Sequence, residues 1–215
     1  MIKKNLVIYY PSFERGGVEE NIKNLINNFT NKINVHLVSS ISNKDAKIIF
    51  KKKVKVYEIK KNKYLNFLPA RINSAISSIS TFSKLISKLK KNNLIVHSMQ
   101  SNIAAILVCL FKNTKIVIRN SEDPIYSTYY SENFISSYII FFLKIIFYNL
   151  CSCIITNSVG SKNSLKKIVF NKKKINTIYN PYLKKINHIN YKKENIIINV
   201  GRFRKQKNQI LLIRA

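Results

Sequence analysis

A glycine followed by a run of basic residues near the end of the chain is the pattern best suited to phosphate binding. Gly201 follows the apolar stretch 196–200, and Arg202 and Lys207 lie five positions apart across an expected turn and helix start. A helix N-terminus offers unpaired N–H groups, and arginine can bind an oxyanion through two hydrogen bonds. We therefore predict that Arg202 and Lys207 converge on one diphosphate. The alternative is a further basic helix in a basic protein, because the spacing is not that of a Walker A loop.

Two adjacent glycines form a second candidate site, between the first apolar run and the first helical pattern. Gly16 and Gly17 lack a Cβ, so the backbone there can approach a ligand closely. Ligands of open α/β sheets bind at the carboxyl ends of strands, which predicts a substrate-binding loop here. The alternative is a tight turn that eases a helix start, with Glu19 and Glu20 complementing the helix dipole. The spacing excludes the dinucleotide fingerprint.

Polar residues also follow two later apolar runs. His97 ends one run, and Arg119 and Asn120 end the next. These positions fall at the sheet edge where sites form, so we treat Arg119 and Asn120 as substrate-binding candidates. The alternative for His97 is a partly buried histidine with its hydrogen bonds satisfied, and for Arg119 a surface cation that ends a strand.

The composition is strongly basic. Lysine and arginine number 38 against 9 acidic residues, giving a formal net charge of +29. This charge fits an anionic partner such as nucleic acid, anionic lipid or a phosphorylated substrate. The alternative, which we favour, is nucleotide bias in an AT-rich gene, because the chain is also rich in Asn, Ile, Tyr and Phe. Even so, a basic surface is attracted to an anionic leaflet by about 1 kcal/mol per charge.

The cysteine pattern argues against disulfides and metals. Cys109, Cys151 and Cys153 are odd in number, and the last two have no second pair and no nearby histidine. We expect buried thiols in a reducing cytosol and no metal site. The N-terminal residues lack the pattern of a signal peptide, which also favours a cytoplasmic location.

One apolar segment raises the question of a membrane span. Residues 134–155 approach the length of a span. Lys144 lies at the middle, where insertion costs about 2.5–3.5 kcal/mol. We therefore predict a buried or membrane-surface helix instead of a span.

Strand-like and helix-like segments alternate along the chain, which predicts an α/β fold with a doubly wound, mostly parallel Rossmann-like sheet. The helix over 70–89 is expected to bury one stripe of its surface, running from Ile72 to Leu89 through Ile76, Ile79, Phe82 and Ile86. Strands are expected over 6–10, 35–38, 54–57, 94–97, 115–119, 153–156 and 175–179, with further helices over 18–29, 102–111 and 161–170.

The domain organisation follows from a change in composition. Residues 1–182 are predicted to form the first domain, and the polar, lysine-rich segment 183–194 a linker. Residues 195–215 then read as the first strand, over 196–200, and a partial helix of a second Rossmann-like domain.

In combination and order, these motifs resemble glycosyltransferase family 4, a group of GT-B enzymes. The resemblance covers nearly the whole chain, and its last motif is the most specific. It is carried by Gly16-Gly17-Val18-Glu19, Ile154-Ile155-Thr156-Asn157-Ser158, Ile178-Tyr179-Asn180-Pro181 and Val200-Gly201-Arg202-Phe203 with Lys207-Asn208.

The resemblance implies a two-domain enzyme that moves a sugar from a nucleotide-sugar donor to a glycan or lipid-linked acceptor, in surface polysaccharide synthesis. It implies that Arg202 and Lys207 hold the donor diphosphate, and that Gly16 and Gly17 approach donor phosphates or acceptor. Asn180 lies at the crossover between domains and joins the substrate-binding candidates. The family is generally retaining and needs no cofactor or tightly bound metal. We expect peripheral contact with an anionic inner membrane face and no specific nucleic acid.

Two departures from the family pattern limit what the resemblance implies. Many members carry a histidine where this chain has Asn120, so no general base is assigned. The family's acidic E-x7-E motif lies downstream of Lys207, beyond these 215 residues, so we expect the chain alone to be inactive. The alternatives are a GT-B-fold sugar-nucleotide epimerase and a non-catalytic domain that binds membranes or polyanions.

Overall fold

The structure is a computed structural model that describes residues 4–13, 16–28, 33–50, 54–131, 133–181, 195–201 and 208–214. Contacts divide the chain into two compact units, Met1–Pro181 and Tyr182–Ala215. The predicted linker 183–194 lies outside the described residues, so the domain limits stay a prediction.

A seven-stranded parallel sheet in the order β3-β2-β1-β4-β5-β6-β7 forms the centre of the first unit, within the described residues. This confirms the predicted α/β, doubly wound, Rossmann-like architecture. The strands are β1 Lys4–Tyr9, β2 Ile33–Ser39, β3 Lys55–Glu58, β4 Leu94–Ser98, β5 Ile116–Asn120, β6 Cys153–Thr156 and β7 Ile175–Thr177.

Helices cover both faces of this sheet, because alternate residues of a buried strand point to opposite sides. On β1, Ile8 packs in one apolar cluster, whereas Val7 and Tyr9 pack in the other. The helices of the unit are α1 Gly17–Asn28, α2 Asn43–Ile49, α3 Ala70–Lys88, α4 Asn102–Phe111, α5 Pro124–Tyr129, α6 Phe134–Phe147 and α7 Val159–Leu165. The cluster around Ile8 holds buried residues of α1 and α2, and the other cluster holds buried residues of α3, α4 and α7.

The predicted apolar stripe of α3 is wrong over its first half. Ile72, Ile76 and Ile79 are exposed, although Phe82 and Ile86 farther along are fully buried as expected. Polar residues take the inward positions of this half, namely Asn73, Ser74 and Ser78. Their inward placement is explained in part by hydrogen bonds, such as the one at 2.6 Å between the hydroxyls of Ser78 and Tyr9.

Helix α6 lies at the surface, so the buried alternative for this segment is wrong. Lys144 is the only buried residue of α6, and most of its large apolar side chains are exposed. Among the described residues, no helix is both long and apolar enough to cross a membrane.

The second unit contains a helix but not the expected strand. Residues 196–200 have no strand assignment, and Ile197 and Val200 are exposed. A strand requires a hydrogen-bonded neighbour, and the described part of this unit provides none. Helix α8 spans Gln209–Arg214, after the basic run, as predicted.

Candidate functional site

The order of the strands creates a crevice at the carboxyl edge of the sheet. The order reverses between β1 and β4, which pair in parallel with Tyr9 opposite Ser98. The loops after these two strands lead to helices on opposite faces, and such switch points are where open α/β sheets bind ligands. The Ser12 N–H donates to Gln100 Oε1 at 2.8 Å and joins the two loops across the crevice.

The glycine loop lies directly at this switch point. Gly16 O accepts a hydrogen bond from the Glu20 N–H at 3.3 Å, and α1 begins at Gly17. None of the described glycines has a positive φ, and a Cβ added to Gly17 would meet no atom within 4 Å. Glu19 and Glu20 lie in the first turn of α1, as the helix-start alternative expects, so the substrate-binding role of Gly16 and Gly17 stays a prediction. The described contacts give no internal reason for a glycine at position 17, whereas close approach of a ligand would supply one.

The segment between β1 and α1 is held in place from both sides. The Tyr10 hydroxyl donates to Glu19 Oε1 at 2.6 Å, and the Phe13 N–H donates to Ser40 Oγ at 2.9 Å. The sequence reasoning missed both anchors, because the contact of Phe13 with Ser40 depends on the pairing of β1 with β2, and that of Tyr10 with Glu19 on how α1 packs beside the end of β1.

Arg119 and Asn180 come together although 61 positions separate them. Arg119 lies on β5 and Asn180 follows β7, and Arg119 Nη2 donates a hydrogen bond to Asn180 Oδ1 across the end of β6. Both residues are partly exposed. Arg119 and Asn180, two of the predicted site residues, thus form one cluster at the carboxyl edge. Strand β5 lies two strands from β1 in the sheet, so about 10 Å separates the strand that carries Arg119 from the strand that leads to Gly16 and Gly17.

His97 is buried beside this cluster. Burial and the positive charge of Arg119 together lower the pKa of His97 to about 4, although a hydrogen bond with the backbone of Val117 acts in the opposite direction. His97 is therefore neutral near pH 7. The geometry fits the buried alternative, because only 8% of the residue is exposed.

Asn120 is buried and uses its amide inside the protein. Its Nδ2 donates to the carbonyl of Glu122 and to Ser161 Oγ at 3.3 Å. Its Oδ1 accepts from the Tyr148 hydroxyl at 3.2 Å, and burial raises the pKa of Tyr148. These contacts support a positioning role. That Asn120 binds substrate stays a prediction.

An ion pair links α6 to the loop after β5. Lys144 Nζ lies 2.7 Å from Glu122 Oε1, with 9% of the lysine side chain and 59% of the glutamate side chain exposed. The neighbouring Asp123 caps α5 by accepting from the N–H groups of Ile125 and Tyr126. Both carboxylates after β5 are thus engaged in holding helices.

Two of the three cysteines, Cys109 and Cys151, are buried as expected, whereas Cys153 is partly exposed. Burial raises the pKa of Cys109 to about 12 and that of Cys151 to about 11. In the part of the chain that the structure describes, no three His, Cys, Asp or Glu side chains cluster as metal ligands. Metal independence of the reaction stays a prediction.

The predicted diphosphate-binding residues, Arg202 and Lys207, lie outside the described residues. Their convergence on one diphosphate stays a prediction.

Solved structures show the same fold at low sequence identity. HepE from Anabaena, in complex with UDP-glucose, aligns with a TM-score of 0.55 and 10% identity over 83% of this chain and 44% of its own. A putative UDP-N-acetylglucosamine 2-epimerase from Listeria monocytogenes gives 0.55 and 12%, over 81% and 45%. A UGT transferase from Siraitia grosvenorii, in complex with UDP, gives 0.54 and 8%, over 82% and 50%. The chain therefore spans about half the length of these proteins.

No curated protein matches the chain by sequence. The sequence model of Glycosyltransferase Family 4 matches residues 15–182, most of the 215-residue chain and nearly the whole of the first unit. The match includes both glycines, Gly16 and Gly17, the Arg119–Asn180 cluster and every strand from β2 to β7. The chain belongs to Glycosyltransferase Family 4.

Proposed function

We propose that the protein transfers a sugar from a nucleotide-sugar donor to a glycan or lipid-linked acceptor in surface polysaccharide synthesis. Residues 1–182 form the acceptor-side domain, with Gly16, Gly17, Arg119 and Asn180 facing the substrates. Because the chain spans about half the length of its structural neighbours, the proposal concerns the protein with a complete donor-binding domain.

The observation that carries this proposal is the open glycine at the switch point. Gly17 begins α1 beside the crevice between β1 and β4, with no atom within 4 Å of an added Cβ. This leaves room for a sugar or phosphate to approach the backbone. The family match over residues 15–182 favours sugar transfer as the chemistry performed there.

The proposed chemistry is electrostatic. When the bond between the anomeric carbon and the diphosphate breaks, negative charge grows on the departing nucleotide. Arg202 and Lys207 stabilise that charge, and preorganised cations favour the transition state over the ground state. No general base is assigned, and we expect a retaining reaction without a metal ion.

The cluster of Arg119 and Asn180 contributes a fixed cation to the acceptor side. Arg119 is held by Asn180, and His97 beside it stays neutral near pH 7. A partly exposed guanidinium can bind hydroxyl or anionic groups of a substrate. Asn180 follows β7 and lies next to Pro181, the last residue of the first unit.

We further propose a cytoplasmic location with peripheral contact at the inner membrane face. The net charge of +29 supports this, since anionic lipid headgroups attract basic surfaces.

Product analysis with a labelled nucleotide-sugar tests the reaction class. With a complete donor-binding domain, we expect label to move to a lipid or glycan fraction only when acceptor is added. An altered nucleotide-sugar formed without acceptor would instead identify an epimerase. One of the structures with this fold is a putative epimerase of this kind. The 215-residue chain alone is expected to be inactive, and transfer at the rate of a complete relative would contradict that expectation.

Charge-matched variants test the diphosphate site. We expect the double substitution of Arg202 and Lys207 to Gln to weaken nucleoside diphosphate binding at least about tenfold, because each lost charge-assisted hydrogen bond costs about 1.5–3 kcal/mol. The same double substitution at Lys172 and Lys173, which are exposed in a turn before β7, removes equal charge and should change little. Equal losses in both variants, with steep salt dependence, would favour a polyanion-binding domain.

A further inference from the structure

The outward side of α6 is apolar where a surface helix is ordinarily polar. Ile135, Ile139, Phe142 and Ile146 recur at helical spacing and are 78%, 56%, 62% and 44% exposed. Among the described residues of 124–147, Lys144 is the only charged one, and it is buried. Glu132, between α5 and α6, lies outside the described residues. The described outward side of α6 therefore presents no charge to solvent.

Helix α5 extends this surface with aromatic side chains. Tyr126 and Tyr130 are 62% and 70% exposed, and their rings stack with centroids 6.3 Å apart. We call the surface formed by Tyr126, Tyr130, Ile135, Ile139, Phe142 and Ile146 the α5–α6 apolar face.

The orientation of this face is fixed from the inside. Lys144 on the inner side of α6 pairs with Glu122 at 2.7 Å, which anchors the helix to the loop after β5. Asn149, just after α6, donates to the carbonyl of Ile168 at 3.2 Å and accepts from the Phe170 N–H at 2.8 Å. The apolar side is therefore held outward by specific polar contacts on the inner side.

We propose that the α5–α6 apolar face inserts into the boundary between headgroups and acyl chains of an anionic lipid bilayer. Helices that lie in this boundary combine an apolar face with aromatic residues, and tyrosine suits it because its ring is apolar and its hydroxyl polar. The inference rests on the membrane contact within the proposed function and names the surface that makes it.

Charge favours a lipid surface over a second copy of the chain. Two molecules of net charge +29 repel each other, whereas anionic headgroups attract them. The charge near the α5–α6 apolar face also favours anionic lipid. Ser164 Oγ donates to Asp123 Oδ2 at 2.5 Å, which places the end of α7 beside the start of α5. Lys166 and Lys167 follow there, and both are exposed.

Helix length favours lying at the surface over spanning the bilayer. The 14 residues of α6 extend about 21 Å. A bilayer core is about 30 Å thick. Contact with one leaflet is therefore the geometry available to this helix.

Single-tryptophan variants test the proposal directly, since the chain contains no tryptophan. Phe142→Trp places the reporter on the face, and Ile48→Trp places it on α2, across the sheet, where Ile48 is 77% exposed. With vesicles of phosphatidylglycerol and phosphatidylcholine in equal parts, we expect the emission of Phe142→Trp to shift to shorter wavelength and that of Ile48→Trp to stay unchanged. No shift in Phe142→Trp, or equal shifts in both, would overturn the proposal.

A matched pair of serine variants measures the strength of the contact. Ile135 and Ile48 are the same residue type with nearly equal exposure, 78% and 77%. We expect Ile135→Ser to weaken vesicle binding about tenfold and Ile48→Ser to leave it within about twofold, because only the first loses apolar burial in lipid. Circular dichroism and thermal unfolding of both variants establish that each is folded.

The remaining outcomes also decide the matter. Equal vesicle binding by the two serine variants, lost at high salt, would mean that lysines alone bind lipid and would overturn the proposal. A lipid-free dimer that Ile135→Ser dissociates in sedimentation would assign the face to a second copy. No vesicle binding by the unsubstituted chain would refute the docking face. Sugar transfer to a soluble acceptor by the protein with a complete donor-binding domain, assayed without vesicles, would leave the proposed function standing in that case.

Discussion

Helices α1 and α6 flank strands of the same sheet in the chain, yet their apolar residues face in opposite directions, toward the core in α1 and toward solvent in α6. In α1, Ile22 and Ile26 are 0% and 1% exposed and pack in the core. In α6, the only buried residue is Lys144, and isoleucines and phenylalanines face outward. Apolar residues at helical spacing therefore show that a helix has an apolar side, but not whether that side meets the core or a partner outside the chain.

The largest expected effect is a difference in stability between a variant in α1 and a variant in α6. Ile22→Ala removes fully buried atoms and should lower the free energy of unfolding by about 2–5 kcal/mol. Ile135→Ala removes exposed atoms and should change it by less than about 0.5 kcal/mol. Urea unfolding measures the stability of both variants. If Ile135→Ala proved as destabilising as Ile22→Ala, the outward placement of Ile135 would be contradicted.

The next effect concerns pH on the substrate side of the molecule. The pKa of His97 is lowered to about 4 in the folded state, so below its unfolded value of 6.5 the unfolded chain binds a proton that the native chain does not. Stability should fall as pH drops from 6.5 toward 4, by about 3 kcal/mol at most from this group. His36, whose pKa is lowered by burial and by Lys55, adds in the same direction.

The variant His97→Gln isolates the contribution of that histidine. Its unfolding free energy should depend less on pH between 6.5 and 4 than that of the wild type. An unchanged pH dependence would mean that His97 titrates normally in the native state and is not buried as described.

A smaller effect tests how α6 is held. Glu122→Gln leaves the buried ammonium of Lys144 without its charge partner and should cost about 1–3 kcal/mol. Lys144→Met keeps most of the volume and leaves only Glu122, which is more than half exposed, so the cost should be below about 1 kcal/mol. Denaturant titration compares the stability lost in the two variants. A larger loss in Lys144→Met than in Glu122→Gln would contradict the view that the ion pair holds α6 in place.

The smallest expected effect on stability is paired with a larger one on binding. Gly17→Ala places a Cβ in open space without positive φ, so the free energy of unfolding should rise by about 0.4–1 kcal/mol. The same methyl group obstructs close approach of a ligand and should weaken substrate binding. Unchanged binding with raised stability would make Gly17 an ordinary helix start.

Much of the architecture could be predicted from the sequence because short apolar runs must be buried in a sheet. The apolar runs of β1, β4 and β6 each predicted a strand close to its true limits, since each contributes buried residues to the apolar core. The stretch 196–200 looks the same by composition but has no partner in the described structure, and pairing cannot be seen in composition.

The site was predicted only in part, for a related reason. Arg119 and Asn180 could be placed at the carboxyl edge because each follows a strand, and the structure brings them together. The contact of Ser12 with Gln100, and the way Asn120 turns inward, depend on strand order and side-chain packing. The inverted stripe of α3 was missed because the polar partner of Ser78 is Tyr9, far away in sequence.

The central claim is that the carboxyl edge of this sheet, with Gly16 and Gly17 at its switch point, binds the substrates of a glycosyltransferase. Residue-resolved amide chemical shifts, recorded while UDP, GDP or ADP is titrated into the 215-residue chain, test it most directly, because this measurement detects weak binding without turnover. The account predicts that a nucleoside diphosphate perturbs residues 16–17, Arg119 and Asn180 together, and that tripolyphosphate does not reproduce the pattern. Shifts scattered over surface lysines, with the same response to tripolyphosphate, would contradict it.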